Sequence, residues 1–336
     1  MPYDEIELMD SIEHIDDRQW NNLIERSSLG TIFHRTEWLM ALEKGWGLEA
    51  RHFIAYSNNN IVAIFPNFLK QIRNNPLKRL ISLPTGYGGP IIPSNWEVIF
   101  DSFLNRSAKI CRGRTISHVI SFPSSGYVGY WGMLRSKGYD PIYRCNFYHD
   151  LSKGIEYNYM NLNKSKKKVL KNYYGKYTYE VENLNNENLG LFYGSYQKLM
   201  NELKANIYPF EFFEALIEYC QDIVLLITQY SDGIYVGGKL IVVDNKNNTL
   251  HSFLSGVEKK QLIEHSSFLL IWNALEWGIE NKFDLYDLGP SLDDFRNGIF
   301  KFKNEIGGEI EPNISWERSF YPMKPFYNLA KRFISV

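Results

Sequence analysis

The stretch from Phe283 to Gly308 concentrates the residues of this sequence that could do chemistry. Its pattern predicts a buried strand, a sharp exit at Gly289, a polar loop and a compact element at 298–303. Polar and cationic groups lie beside aromatic residues at a strand end, where ligands often bind. Lys303 could hold a phosphate or stabilise a developing oxyanion. Asp287 could orient or deprotonate an acceptor amine, which must be neutral to attack. The stretch therefore indicates group transfer, without naming the substrate.

Several other candidate residues could have either a structural or a functional role. His251 could be a base near neutral pH, or a structural histidine of a strand, and Ser255 lies beside it where the strand ends. Asp287 could equally be a structural carboxylate bonded to loop amides. The glycine loop at 85–90, which includes Tyr87, could bring backbone close to a ligand or be a simple tight turn. The residue types leave these alternatives open.

Composition narrows the class of partner. The chain has 336 residues, 37 Lys and Arg against 38 Asp and Glu, and a net charge of -1, so no overall field would recruit DNA or an anionic membrane. The basic run Lys164–Lys171 could face an anionic donor such as tRNA, or be a solvated helix face. Three scattered cysteines and the lack of a His-x-x-x-His pair give no support for a disulfide framework or a metal site.

The terminal sequences and the lengths of the apolar runs indicate where the protein is expected to be located. The N-terminus is acidic and lacks the apolar core of a signal peptide, and no apolar run is long enough for a transmembrane helix. We therefore expect a cytoplasmic protein without a transmembrane segment. The basic, amphipathic C-terminus predicts a helix at 318–336 that packs back on the first domain.

The order of predicted elements repeats once along the chain. Each half has helices, a hairpin with an Asn, Asp or Gly turn, a third strand ending in small residues, a helix and a strand. We therefore expect an α/β protein of two tandem domains, each a mixed, mainly antiparallel sheet flanked by helices. The domains are predicted at 1–155 and 156–317, and the polar stretch 151–163 is the expected linker.

With Tyr286-Asp287-Leu288-Gly289 followed by Gly298-Ile-Phe-Lys-Phe-Lys303, the chain resembles the FemABX family of tandem GNAT transferases, whose members show a similar DLGG and FK pattern. The helix entry at Phe33–Trp38 and the basic run are supporting matches. The resemblance implies GNAT-like domains and a substrate cleft in the second one. Lys303, Asp287 and His251 are the implied catalytic residues. The implied substrate-binding residues are Phe302, Tyr286, Gly289, Tyr208, Ser255, Tyr87 and Trp38.

The same resemblance implies a function, and the departures from it limit the substrate. Family members attach amino acids from aminoacyl-tRNA to cell-wall precursors. Here Gly289 is followed by Pro290, and two cationic phosphate contacts of the family are replaced by Leu39 or Met40 and by Tyr208. We expect an acyl or aminoacyl transferase acting on an amine of a cell-envelope, peptidoglycan or polysaccharide precursor. The alternative is a catalytically degenerate module that binds a glycan or peptide.

The donor stays open between aminoacyl-tRNA and acyl-CoA. The expected acceptor is a small molecule, or a glycan or peptide linked to a lipid or a nucleotide. Arg135-Ser-Lys-Gly-Tyr-Asp140 comes nearest to the pyrophosphate-binding loop of acetyl-CoA-dependent GNAT enzymes and fails at its last position, so the sequence gives no support for CoA.

Overall fold

The computed structural model of the chain describes residues 3–72, 75–93, 96–122, 125–257 and 265–320. It divides into two compact units. The first contains residues 1–43, 47–143 and 313–336, and the second contains residues 44–46 and 144–312. The predicted boundary near residue 155 stays a prediction, and the predicted C-terminal helix lies mostly outside the described residues, although Arg318 and Ser319 end a strand instead.

The elements of the first half are short and alternate between helix and strand. In chain order they are β1 (Glu5–Met9), α1 (Asp17–Arg26), α2 (Thr36–Trp46), β2 (Glu49–Ala50), β3 (His52–Ser57), β4 (Asn60–Phe65), β5 (Phe68–Gln71), β6 (Lys78–Ile81), α3 (Trp96–Ile110), β7 (Thr115–Ser121) and α4 (Trp131–Ser136).

The first unit is built around a bent hairpin and a parallel strand pair. β3 and β4 pair antiparallel and carry β1 at one edge, as the Asn58–Asn60 turn signal indicated. Beyond Pro66 the chain continues as β5, which pairs with β2 and β6. β6 then pairs parallel with β7 through the crossover helix α3, and β7 pairs antiparallel with the end of the last strand, β14 (Glu309–Ser319). Phenylalanines of β3, β4 and α3 fill the core between sheet and helix.

The second half contains longer elements. They are β8 (Asp140–Asp150), α5 (Gly154–Asn161), α6 (Lys164–Tyr173), β9 (Thr178–Asn183), α7 (Asn186–Glu202), α8 (Phe210–Tyr219), β10 (Val224–Ser231), β11 (Ile234–Asp244), β12 (Thr249–Val257), α9 (Ser266–Glu280), β13 (Leu285–Ser291), α10 (Gly298–Ile306) and β14 (Glu309–Ser319).

The sheet of the second unit has the strand order β9-β10-β11-β12-β13-β8. The pairs from β9 to β12 are antiparallel, because short turns such as Asp232-Gly233 join β10 to β11 and leave no room for a crossover. β12 and β13 run parallel, and α9 supplies the crossover that a parallel pair needs. β8 closes the order by pairing antiparallel with β13.

Two helices cover the second sheet on opposite faces. α9 is apolar almost all round and packs on the face that carries Ile241 and Leu250. α7 lies on the other face and approaches so closely that a Cβ on Gly256 would stand 2.4 Å from the Ser195 Oγ and 2.6 Å from the Tyr196 nitrogen. Gly256, one of the small residues that end the third strand, is thus required by this close helix packing.

The predicted fold class is confirmed: the chain is a mixed α/β protein with helices flanking its sheets. Both units contain a hairpin, then a strand joined by a helix to a parallel neighbour, as the repeated element order predicted. The stretch 151–163, expected to be a linker, contains α5. Its polar composition concealed the helix because six of the eight residues of α5 are exposed.

Candidate active site

A fork opens between β12 and β13 in the second unit. The two strands pair only through 249–251 and 285–287, after which β13 continues along β8 and β12 continues along β11. Gly289 makes this exit with a φ of 79°, which a residue with a Cβ rarely adopts. Cβ at this position would stand 3.8 Å from the Ser252 oxygen and 3.9 Å from the Lys303 Nζ. The fork therefore leaves backbone groups and an ammonium group at a strand end.

Lys303 is held at the mouth of this fork by α10. The Asn297 side chain caps the helix by accepting from the Ile299 and Phe300 nitrogens, and Ile306 is buried in the core. Lys303 Nζ donates to the carbonyl oxygens of Gly289 at 2.9 Å and Pro290 at 3.0 Å. The side chain is half-buried, so its ammonium is fixed but can still reach a ligand.

The electrostatic setting weakens the hold of Lys303 on its proton. Burial lowers the pKa of Lys303 to about 8, although the nearby Asp287 and Cys145 act in the opposite direction. An amine with this pKa is mostly protonated at pH 7 and mostly neutral at pH 9. The charge needed to stabilise an oxyanion is therefore present at neutral pH and is lost just above it.

Asp287 and His251 form a buried carboxylate–imidazole pair beside the fork. His251 Nδ1 lies 3.2 Å from Asp287 Oδ2, and His251 Nε2 lies 4.0 Å from Asp244 Oδ2. Burial disfavours the imidazolium, but the two carboxylates outweigh it and raise the pKa of His251 above its ordinary value. Asp287 Oδ1 accepts from the Gly289 nitrogen at 2.7 Å, so this carboxylate also fixes the strand exit. Both readings of Asp287 are compatible with this geometry.

β8 supplies two polar neighbours of Asp287. Asn146 Nδ2 donates to the Tyr148 hydroxyl at 3.0 Å and lies 3.3 Å from Asp287 Oδ1. Burial and the charge of Asp287 raise the pKa of the Tyr148 phenol, so this group stays protonated. Asn146 is buried, and it thus orients the carboxylate from the side opposite to His251.

A second lysine lies inside the sheet near Lys303. Lys239 projects from β11, is only 3% exposed, and donates to the Ser255 Oγ at 3.2 Å. Burial and the charge of Lys303 lower the pKa of Lys239 to about 7. Strand alternation places Lys239 and Ser255 on the face that bears α9, whereas His251 and Asp287 face the other way. The fork lies where these two sets approach each other.

Phe302 and Tyr286 pack in the hydrophobic core that positions the elements of this site. Tyr286 is fully buried in the core under α9, and Phe302 packs against the same core. The Phe302 ring lies 4.8 Å from the Lys166 Nζ, which also pairs with Glu305 Oε2 at 3.4 Å. These packing contacts position α10 and β13. The predicted contact of Phe302 and Tyr286 with substrate stays a prediction.

Three predicted binding residues are not part of the cluster around Lys303. Trp38 and Tyr87 are buried in the first unit, where both rings pack against Phe33 at 5.1 and 5.7 Å. Tyr208 is half-buried in the second unit, and its ring centroid lies 4.5 Å from that of Trp46 and 6.2 Å from that of Phe253. Their predicted roles in substrate binding stay predictions.

The basic run on α6 divides into exposed and buried members. Lys164, Lys168 and Lys171 are exposed, as a surface that meets an anionic donor would require. Lys166 is buried, because it holds Glu305 of α10 and lies over two phenylalanine rings. The run therefore contains one residue whose role is to attach the helix that carries Lys303.

The sequence did not identify Lys239, Asp244, Asn146 or Tyr148 as members of this cluster. Lys239 left one usable signal, since it is a lone charge within the apolar strand Gly237-Gly-Lys-Leu-Ile-Val-Val243. Asn146 and Tyr148 left none, because β8 lies far from β13 in the chain, with Asn146 and Asp287 separated by 141 positions.

Two other kinds of feature are absent from the described ranges. In this part of the chain, no group of three or more His, Cys, Asp or Glu side chains is arranged to hold a metal ion. Nor does any helix among the described residues have the length and apolar character needed to cross a membrane.

Comparison with known families identifies a domain in the second half. Residues 160–301 match the family model described as an acetyltransferase (GNAT) domain. This segment includes β9 to β13, the fork and the first four residues of α10. No curated protein matches the chain.

Comparison with solved structures extends the likeness to almost the whole chain. FemX superposes with a TM-score of 0.67 at 12% identity, over 96% of this chain and 99% of that one. L-PGS from Bacillus licheniformis gives 0.61 at 12% identity, over 94% and 96%. A tandem GNAT protein from the clavulanic acid biosynthesis pathway gives 0.57 at 10% identity, over 94% and 98%. The expected tandem GNAT fold is thereby confirmed.

Proposed function

We infer that this chain, a FemAB-like GNAT protein by its matched domain and its fold, is an acyltransferase that joins an acyl or aminoacyl group to an amine. The fork and its polar cluster carry the inference. A cation at a strand exit, with a carboxylate beside it, suits the two charge changes of acyl transfer. Negative charge develops on the carbonyl oxygen, and a proton must leave the amine.

The proposed reaction assigns one task to each group. The amine nitrogen attacks the acyl carbon, and a C–N bond forms while the C–O or C–S bond to the carrier breaks. Lys303 stabilises the oxyanion, and the carrier leaves with the proton that the amine releases. Asp287 or the substrate itself first takes this proton from the amine. Most of the rate then comes from positioning.

The acceptor class is an extension of this proposal. Two neighbours in fold, FemX and L-PGS, support an acceptor from the cell envelope, to which cell-wall precursors and lysylphosphatidylglycerol belong. We place the acceptor among amine-bearing precursors of the cell envelope, peptidoglycan or a polysaccharide. The exposed lysines of α6 would suit an aminoacyl-tRNA donor, and acyl-CoA is the other candidate.

A binding module without chemistry is the second candidate. Two observations favour it: the family's phosphate contacts are replaced at Met40 or Leu39 and at Tyr208, and Lys303 already donates to two carbonyl oxygens. In this reading the fork recognises a glycan or peptide, and Lys303 only stabilises the strand exit.

A transfer assay with two donors separates these functions. The full chain is incubated with aminoacyl-tRNA or acetyl-CoA and an extract of envelope precursors, and products are resolved by mass spectrometry. A precursor whose mass rises by one acyl unit, with wild-type but not with Lys303→Ala protein, supports the transferase. Thermal stabilisation by precursors alone, with no mass change for either donor, supports the module and contradicts the transferase.

A further inference from the structure

A polar cavity of about 340 Å³ lies in the second unit, beside β8. Its wall is formed by the end of β8, one side of α5 and the turn after α10. The lining residues are Tyr148, Asp150, Tyr157, Asn158, Asn161, Asn304, Gly307, Gly308 and Glu309. The volume is at the lower end of small-molecule sites, which suits a single ring.

The two glycines of this wall are fixed by close packing. Both have a φ of 90°, in the region that favours glycine. A Cβ on Gly307 would stand 2.5 Å from the Asn161 oxygen, and one on Gly308 would stand 2.5 Å from the Tyr148 oxygen. The turn after α10 can therefore run against β8 and α5 only with glycine at both positions, and its backbone forms one side of the cavity.

Asn158 gives the opposite side a fixed geometry. Its Nδ2 donates to the carbonyl oxygens of Asp150 and Gly154, so its Oδ1 is left to accept from His149 Nδ1 at 3.0 Å. Burial lowers the pKa of His149, which keeps the ring neutral. This side of the cavity is thus held by a buried network that a ligand does not need to reorganise.

Asn161 and Asn304 are the adaptable groups of the lining. Both are exposed at the rim, and neither side chain holds a hydrogen bond within the part of the chain that the structure describes. A carboxamide offers a donor and an acceptor side by side, which matches a hydroxyl group that both donates and accepts. These two carboxamides therefore suit a hydroxyl-rich ring.

The charges around the cavity exclude anions. Asp150 and Glu309 contribute two carboxylates, and Lys153 Nζ lies between them at 3.0 and 3.5 Å while covering the Tyr157 ring at 4.7 Å. One ammonium cannot offset two carboxylates, so the net charge is negative. A phosphate group would be repelled here, whereas an uncharged ligand would not.

Tyr148 connects this cavity to the candidate active site. It lines the cavity, and its hydroxyl accepts from Asn146 Nδ2, which also lies 3.3 Å from Asp287 Oδ1. Two side chains thus separate the cavity from the proposed proton acceptor.

We propose that this cavity is a sugar subsite, which takes one uncharged, hydroxyl-rich ring of the acceptor. The inference rests on the proposed function only in assigning the sugar to the acceptor. Beyond the proposed function, the subsite implies that the acceptor contains a sugar and that the sugar bound in this cavity carries no phosphate.

Binding is measured on the full chain by calorimetry, without any acyl donor. The probes are the methyl glycosides of glucose, galactose and N-acetylglucosamine, with glucose 6-phosphate as the anionic counterpart. We expect saturable binding of at least one neutral glycoside below about 20 mM, the range for a small ligand with few contacts, and none of the phosphate.

Substitutions locate the binding. Asn161→Trp would fill the cavity from an exposed position and should weaken neutral-sugar binding at least tenfold, and Asn304→Ala should weaken it about threefold. Asn172→Trp is the matched control, because Asn172 is an exposed asparagine of α6 outside the cavity, and it should bind as wild type does.

Each outcome decides for or against the subsite. No saturable binding of any neutral glycoside, equal binding of the phosphate, or wild-type binding by Asn161→Trp would overturn it. Acyl transfer with no sugar binding would overturn the subsite alone. Sugar binding at this cavity without acyl transfer would leave the subsite standing and count against the proposed function.

Discussion

Replacing Lys303 tests the charge that the proposed reaction requires. Nζ is fixed by two carbonyl oxygens at 2.9 and 3.0 Å at the mouth of the fork. Removing one fixed donor from a developing oxyanion typically lowers kcat by about 10² to 10³, or about 3 kcal/mol. We expect a loss of this size in Lys303→Ala, measured as initial rates of acyl transfer at pH 7. Lys301→Ala is the matched control, since Lys301 is exposed two residues away and should keep its rate.

The pH profile makes the same test sharper. With the pKa of Lys303 at about 8, the charged fraction falls from about nine-tenths at pH 7 to about one-tenth at pH 9. The wild-type rate should therefore drop about tenfold over this interval. Lys303→Arg should remain active without the drop, because arginine stays charged throughout. An unchanged rate in Lys303→Ala, or the same drop in Lys303→Arg, would refute the assigned role.

Three further substitutions probe the groups around the fork. Lys239→Met should raise the free energy of unfolding at pH 7 by a few kcal/mol in urea titrations, because burial lowers the pKa of the Lys239 amine to about 7. For the same reason the wild type gains stability as pH rises from about 7 towards 10.5, and the variant should lose this dependence. No gain in stability would contradict the burial penalty. Asp287→Asn should lower kcat by about 10² or more while keeping the Gly289 nitrogen bonded and the fold intact by circular dichroism, and full activity would remove Asp287 as proton acceptor. His251→Gln should destabilise the protein most below pH 6.5 and less as pH rises through the raised pKa, because only the imidazolium gains from the two carboxylates; equal destabilisation at pH 5.5 and 9 would contradict this ion pair.

The sequence predicted the fold well because its elements are locally encoded. The hairpin turns at 58–60 and 231–233, the apolar helix α9 and the small residues that end β12 are each signalled by their own neighbours in the chain. Helix α5 was missed for the converse reason, since most of its side chains face outward and give no apolar stripe.

The site was predictable only where one segment contains its members. Asp287, Gly289 and Lys303 belong to one stretch, and the strand exit brings the lysine to the Gly289 oxygen. The pairing of His251 with Asp287 and of β8 with β13 joins distant segments, so Asn146 and Tyr148 could not be placed without coordinates. The same holds for Lys166, whose burial depends on Glu305 of a helix more than a hundred residues away.

Tracing a labelled acyl group from donor to amine tests the central claim most directly. A ¹³C-labelled aminoacyl-tRNA or acetyl-CoA is mixed with the full chain and envelope precursors, and the label is located by tandem mass spectrometry. The account expects the label in a new amide bond on a precursor amine, formed by wild type and lost in Lys303→Ala. Label that stays on both donors in the presence of a precursor that binds would contradict it.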